Sequence, residues 1–122
     1  MPKVSVIIPC YNYGKYLNEA VDSVLTQTFQ DFEIIIINDG STDEFTKQLL
    51  EKYDKPKTKV LWIANQGPAI ARNIGITEAK GEYILPLDAD DKIAPTYLEK
   101  AIEILDKSPH VGIVYCEVER FG

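Results

Sequence analysis

The sequence is poor in cysteine and histidine, and basic residues do not outnumber acidic ones. Cys10 and Cys116 are its two cysteines and His110 its one histidine, in 122 residues. Cysteines this far apart make no disulfide framework, and neither belongs to a CxxC metal or redox pair. Reduced thiols in a reducing compartment follow. His110 stands in a polar turn after Pro109, so a histidine-based metal site or catalytic triad has little support. Cys10 has no partner histidine and reads as a small buried side chain. Thirteen Lys and Arg against nineteen Asp and Glu leave a net charge of −6. That balance lacks the footprint of a protein that binds a polyanion backbone. Nucleic acid and anionic membrane are thereby set aside as main partners, while a small anion bridged by a metal is not. No apolar run reaches the length of a transmembrane helix. The segment after Met1 lacks the h-region and cleavage site of a signal peptide. GxGxxG and the P-loop are also missing.

What is present is an ordinary globular composition, 45% hydrophobic and 26% charged, of a length suited to one domain. Two periods alternate along it. Val4, Val6, Ile7 and Ile8 form a β-branched run that Pro9 ends. Leu17, Ala20, Val21, Val24 and Leu25 then mark one face of a helix. Residues 32–37 carry four consecutive isoleucines, too apolar for a strand with a wet face and suited to a parallel sheet covered on both sides. Ser41 and Glu44 fit a capping box, with Phe45, Leu49 and Tyr53 along the helix that follows.

A third strand is expected at 60–64. A helix opening at Pro68 runs to about residue 79 with Ile70 and Ile74 inward. A fourth strand spans 83–87. Pro95 opens a helix burying Leu98, Ala101, Ile102 and Leu105, and Ser108-Pro109 breaks it. A fifth strand is expected at 112–118. Such alternation predicts an α/β/α protein of three layers, Rossmann-like, on a mainly parallel sheet. Ligands of these sheets bind beyond the carboxyl ends of the strands. There the sequence places Pro9-Cys10-Tyr11-Asn12, Asn38-Asp39-Gly40-Ser41, Asn65-Gln66-Gly67 and Asp88-Ala89-Asp90-Asp91.

The last of these is the strongest feature. Three carboxylates in four residues repel one another and call for a cation. In an extended segment Asp88 and Asp90 point the same way and could hold Mg²⁺ or Mn²⁺ together with substrate phosphates. The competing reading is a solvated loop in which Asp91 helps to cap the next helix. Gly40 and Ser41 to Asp43 could be pure strand-to-helix architecture, a task that does not need Asp39, whereas a carboxylate at Asp39 could accept hydrogen bonds from a base or sugar. Tyr11 is suited to stacking on a nucleobase, or is a surface tyrosine. Arg72 faces a phosphate, or forms a salt bridge to Asp88 or Asp90.

Four segments then carry a resemblance: 4–12 (VSVIIPCYN), 38–43 (NDGSTD), 65–75 (NQGPAIARNIG) and 81–91 (GEYILPLDADD). In order and spacing they resemble the family 2 glycosyltransferases of GT-A fold, over essentially the whole of residues 1–122. The resemblance implies transfer of a sugar from a nucleotide-sugar, commonly a UDP-sugar, to an acceptor hydroxyl with inversion. It implies a donor pocket of Pro9, Tyr11, Asn12, Asp39, Arg72, Asp88, Ala89 and Asp90. Asp39 would meet the base, and Asp90 with Asp88 a divalent cation, Mn²⁺ or Mg²⁺. Asn38 departs from the second Asp that many relatives carry.

The family's general base lies in a second, acceptor-binding half, beyond Gly122. Glu117 and Glu119 do not match its position. The chain is therefore expected to be the donor-binding part of such a domain, stopping after about five strands and inactive alone. A saccharide or lipid-linked acceptor would place it in the cytoplasm or at the inner face of the membrane, and an exposed sheet edge would invite self-association. Two other readings stand beside it: a nucleotide-binding module without turnover, and a phosphohydrolase with a DxD nucleophile. The latter usually carries its motif after the first strand, not the fourth.

Overall fold

A computed structural model describes residues 2–107 and the short strand Glu119–Arg120. The chain runs β1 (Val4–Cys10), α1 (Gly14–Leu25), β2 (Phe32–Asp39), α2 (Glu44–Glu51), β3 (Thr58–Ile63), α3 (Pro68–Glu78), β4 (Tyr83–Pro86), β5 (Asp91–Lys92), α4 (Tyr97–Asp106) and β6 (Glu119–Arg120). Strands β1 to β4 form one sheet in the order β3-β2-β1-β4. Every pairing in it is parallel, from Val4 opposite Phe32 to Cys10 opposite Asn38 along β1 and β2. The α/β architecture expected from the alternating periods is the one observed. The predicted strand at 112–118 and its neighbours Ser108, Pro109, His110, Cys116 and Glu117 lie outside the described residues. Not anticipated was β5, which pairs antiparallel with β6, Asp91 opposite Arg120 and Lys92 opposite Glu119.

The two faces of the central strands sort by residue parity, as the period of two requires. Val4, Val6, Ile8, Ile34 and Ile36 face a core shared with Leu17, Ala20, Val21 and Val24 of α1, Leu50 of α2, and Leu98, Ile102 and Leu105 of α4. Ile7, Ile35, Ile37 and Ile84 face the other way onto Ala71 of α3. The isoleucine run of β2 is apolar throughout because both its sides are covered.

Helix α3 corrects one expectation. Ile70 is exposed, not inward, and the helix meets the sheet through Ala71 and Gly75. A Cβ on Gly75 would stand 2.5 Å from Ile7 Cγ2 and 2.7 Å from Ile37 Cδ1. The small residues, not the large ones, mark the buried face, because the helix lies close against the isoleucines. Phe45 of α2 is likewise exposed, while Thr46 and Leu50 are buried. The expected capping box is absent as well. Asp43 caps α2, its carboxylate accepting from Thr46 N, and Glu44 pairs with Lys47 instead.

At the opposite end of the sheet, Lys3 Nζ lies 3.0 Å from both Glu82 and Asp106. The Tyr83 hydroxyl donates to Asp106 at 2.8 Å. The Tyr83 hydrogen bond, then that of Lys3, holds the Asp106 carboxyl below its ordinary range. This cluster ties the end of α4 to β1 and β4.

Gly75→Val is expected to lower stability by about 1–3 kcal/mol, since stiff isoleucines in a full core yield little. Urea unfolding of the two proteins measures it, and equal midpoints would contradict the close approach.

Candidate functional site

The chain order β1, β2, β3 proceeds to one side of β1, and β4 then pairs on the other. The place where that direction reverses lies between β1 and β4, at the carboxyl edge where doubly wound sheets bind ligands. A cleft of about 360 Å³ opens at this edge. The end of β1 and the loop after it contribute Pro9, Cys10, Tyr11 and Tyr13; β2 contributes Asp39. Pro68 at the start of α3, and Asp88, Ala89 and Asp90 after β4, complete the wall. Pro9, Tyr11, Asp39, Asp88, Ala89 and Asp90 are thus brought together, as their places after the strands suggested. Asn12 and Arg72 are not among the lining residues.

Asn12 has a different position and a visible task. Its backbone is left-handed, φ 59°, a conformation that asparagine tolerates better than most residues. Its Oδ1 accepts from Thr42 N and Asp43 N, both at 2.9 Å. Its Nδ2 donates to Thr42 Oγ1 at 3.2 Å, and its own N–H donates to Ser41 Oγ at 3.1 Å. Two residues on, Gly14 N donates to Thr46 Oγ1 at 2.9 Å. The loop after β1 is therefore stitched to the loop after β2 on both sides of Tyr13. Asn38 belongs to the same fabric: it is buried, and its Oδ1 accepts from Ser41 N at 3.1 Å. An acceptor is what this position needs, and an amide oxygen provides one as a carboxylate would.

Asp39 is 2% exposed and has an architectural task that the sequence reading denied it. Its Oδ1 accepts from Gln66 N at 2.8 Å and its Oδ2 from Gly67 N at 3.0 Å. Asn65 Nδ2 adds a bond to its carbonyl at 3.0 Å. Gly67 is the N-cap of α3 and makes no side-chain cap of its own. Asp39 supplies from a neighbouring strand an acceptor for that helix start, and it fixes the loop leading to Pro68. Each carboxylate oxygen keeps a further lone pair, so the group still has acceptor capacity toward the cleft that it lines.

Asp88 to Asp91 form a turn, not the expected extended segment: Asp91 N donates to the Asp88 carbonyl at 3.0 Å. The carboxylates converge all the same. One oxygen each of Asp88, Asp90 and Asp91 lies within 4.8 Å of the others. Asp91 is buried at the start of β5, well before α4, and so does not cap that helix. Asp88 and Asp90 are half-buried and line the cleft. Clustered hard oxygen donors, partly open to solvent, suit Mg²⁺ or Mn²⁺, which keep several water or phosphate ligands.

Arg72 is half-buried on α3, and its buried Nε has no hydrogen-bond partner among the described residues. Among the described residues no ion pair joins it to Asp88 or Asp90, so the salt-bridge reading is not met. Cys10 is fully buried, and burial pushes its thiol up to about 11. It stays protonated and packs as an apolar side chain. Tyr13 and Pro68 were missed in the sequence. The signal for Tyr13 was its place outside the apolar face of α1, next to an asparagine able to reverse the chain.

Comparison with known proteins bears on the family and the fold. A sequence model described as glycosyl transferase family 2 matches residues 5–122. An uncharacterized glycosyltransferase of Haemophilus influenzae is 42% identical over 98% of this chain and 50% of its own length. The structure of S. aureus TarS 1-349 in complex with UDP-GlcNAc superposes with a TM-score of 0.77 at 39% identity, covering 86% of this chain and 31% of that one. The mannosyltransferase PcManGT from Pyrobaculum calidifontis, in complex with GDP-Man and Mn²⁺, gives a TM-score of 0.74 at 26% identity, over 85% and 32% of the two chains. The fold is thus the α/β fold of GT-A glycosyltransferases. Within that class, the chain belongs to glycosyl transferase family 2. It spans half of the Haemophilus relative and about a third of each solved chain.

Two outcomes are expected from these contacts. Asp39→Asn replaces one acceptor by a donor facing a backbone N–H, and should cost about 1–3 kcal/mol. Amide exchange at Gln66 or Gly67 should quicken with it, and unchanged exchange at both would refute the tether. Alkylation of Cys10 by iodoacetamide at pH 8, followed by peptide mass analysis, should be far slower in the folded protein than in urea, because burial removes thiolate.

Proposed function

We propose that this chain is the donor-binding part of a glycosyltransferase that uses a nucleoside-diphosphate sugar, a UDP-sugar in the first instance. The observation that carries the proposal is the cleft at the β1–β4 reversal, where Asp39 and two tyrosines share a wall with the Asp88–Asp90 carboxylates. Such a pocket offers flat rings and an acceptor at one part and an oxygen-rich cation site at another. A nucleoside diphosphate presents the matching parts, a planar base with N–H groups and a polyanion. The sugar nucleotides bound to TarS and PcManGT support the same class of donor.

In the proposed reaction the acceptor hydroxyl oxygen attacks the anomeric carbon, and the bond from that carbon to the diphosphate breaks on the opposite face. The configuration inverts, the hydroxyl proton passes to a base, and the nucleoside diphosphate leaves. Asp90, with Asp88 beside it, would hold the divalent cation that neutralises charge on the leaving diphosphate. Asp39 would accept from the base of the nucleotide. Tyr11 would stack on it. The transfer belongs to a protein of the relatives' full length, with a saccharide or lipid-linked acceptor and a base supplied outside these residues. These 122 residues alone are proposed to bind the donor without efficient transfer. No helix among the described residues is long and apolar enough to cross a membrane.

Calorimetric titration of UDP in the presence and absence of Mn²⁺ tests the reading. Binding should require the metal, and Asp90→Ala should weaken it by at least ~10-fold, as losses around a metal site commonly do. Metal-independent binding that Asp90→Ala leaves intact would overturn the assignment of the carboxylates. Binding of GDP in place of UDP would keep the site and change the base.

A further inference from the structure

Tyr13 is a residue of the cleft to which the family resemblance assigns no part. We propose that its ring is a second aromatic contact for the nucleobase of the donor, beside Tyr11; the inference rests on the donor-site reading above. Three observations carry it. Tyr13 lines the cleft together with Tyr11, Asp39 and Asp90, and the residue is 45% exposed. A single exposed aromatic is unremarkable, but this one is held by its backbone and not by apolar burial. Asn12 before it and Gly14 after it are both bonded to the segment after β2, at Ser41 and Thr46. Its own carbonyl accepts from Tyr16 N and Leu17 N at 2.9 and 3.1 Å, which opens α1.

Tyr16 also stands against Tyr13, with ring centroids 6.1 Å apart and planes at 60°. That edge contact braces the ring. Tyr13 is also shared with a second groove, bordered by Lys15, Tyr16, Asp43 and Phe45, so it forms the partition between the groove and the cleft. A stiff ring on a fixed backbone loses little entropy when a flat ligand settles against it. The cation site lies in the Asp88–Asp90 turn, so the diphosphate is expected there and the base toward the tyrosines.

The test compares wild type, Tyr13→Ala and Tyr13→Phe for two ligands, UDP and inorganic pyrophosphate, each titrated with Mn²⁺. Tyr13→Ala should weaken UDP about tenfold, within the range of aromatic–base stacking, and leave pyrophosphate unchanged. Tyr13→Phe, which keeps the ring, should retain UDP affinity. Wild-type affinity for UDP in Tyr13→Ala would overturn the proposal while leaving the donor site standing. Parallel loss of both ligands would overturn it too, showing a collapsed cleft and no base contact. If wild type binds pyrophosphate but gains nothing from either uridine or guanosine, or binds none of pyrophosphate, UDP and GDP, the donor reading itself fails and this inference with it; binding of GDP and not UDP moves the comparison of the Tyr13 variants to GDP.

Discussion

The parallel pairing of β1 with β2, buried on both faces, is the constraint from which the rest follows. Seven residue pairs from Val4–Phe32 to Cys10–Asn38 lock the two strands in register. A one-residue slip would turn Ile34 and Ile36 away from α1 and Ile35 and Ile37 away from α3, exchanging two cores at once. Parallel strands also leave the sheet on one edge. Pro9, Asp39 and the residues after β4 meet there because their strands all end there. The reversal of strand order beside β1 keeps the loop after β1 and the turn after β4 from closing over the gap between them.

The edge divides its labour. Asn12, Asn38, Ser41, Asp43 and Thr46 shape the loops by bonding to backbone groups and to one another. Tyr11, Tyr13, Asp88 and Asp90 present chemistry to the cleft. Asp39 belongs to both groups. Its two bonds to the β3–α3 loop orient a carboxylate that would otherwise choose its own rotamer, and they desolvate it without leaving it unpaired. Preorganisation of this kind lowers the cost of binding because the protein is already arranged.

The fold was legible because strand and helix periods differ and these segments keep to them. The β-branched runs of β1 and β2 allow no helix with a polar face, and Leu17, Ala20, Val21 and Val24 allow no strand. The side of α3 that packs was not legible. Its contact is made by Ala71 and Gly75, and hydrophobic patterning looks for large residues such as Ile70. Phe45 misled in the same way. In the site, residue types after strands located the cleft, since carboxylates and glycines at the edge of a buried sheet are costly without a purpose. The roles within it depended on contacts between segments far apart in the chain. Asn12 bonds to residues thirty positions on, and Asp39 to a loop twenty-seven positions on. No local pattern encodes such distances, so a tether and a ligand group look the same in one dimension.

The stitching of the loop after β1 has a consequence for how such a pocket can change. Tyr11 and Tyr13 take no part in the side-chain bonds that set the loop's path; Asn12, Gly14 and their partners do. The conformation is thus written in one set of residues and the aromatic lining of the cleft in another, interleaved along the same few positions. Exchanging the aromatic residues leaves the scaffold's instructions untouched. Descendants of one ancestral loop can in this way come to line the cleft with different side chains while the chain continues to trace the same curve.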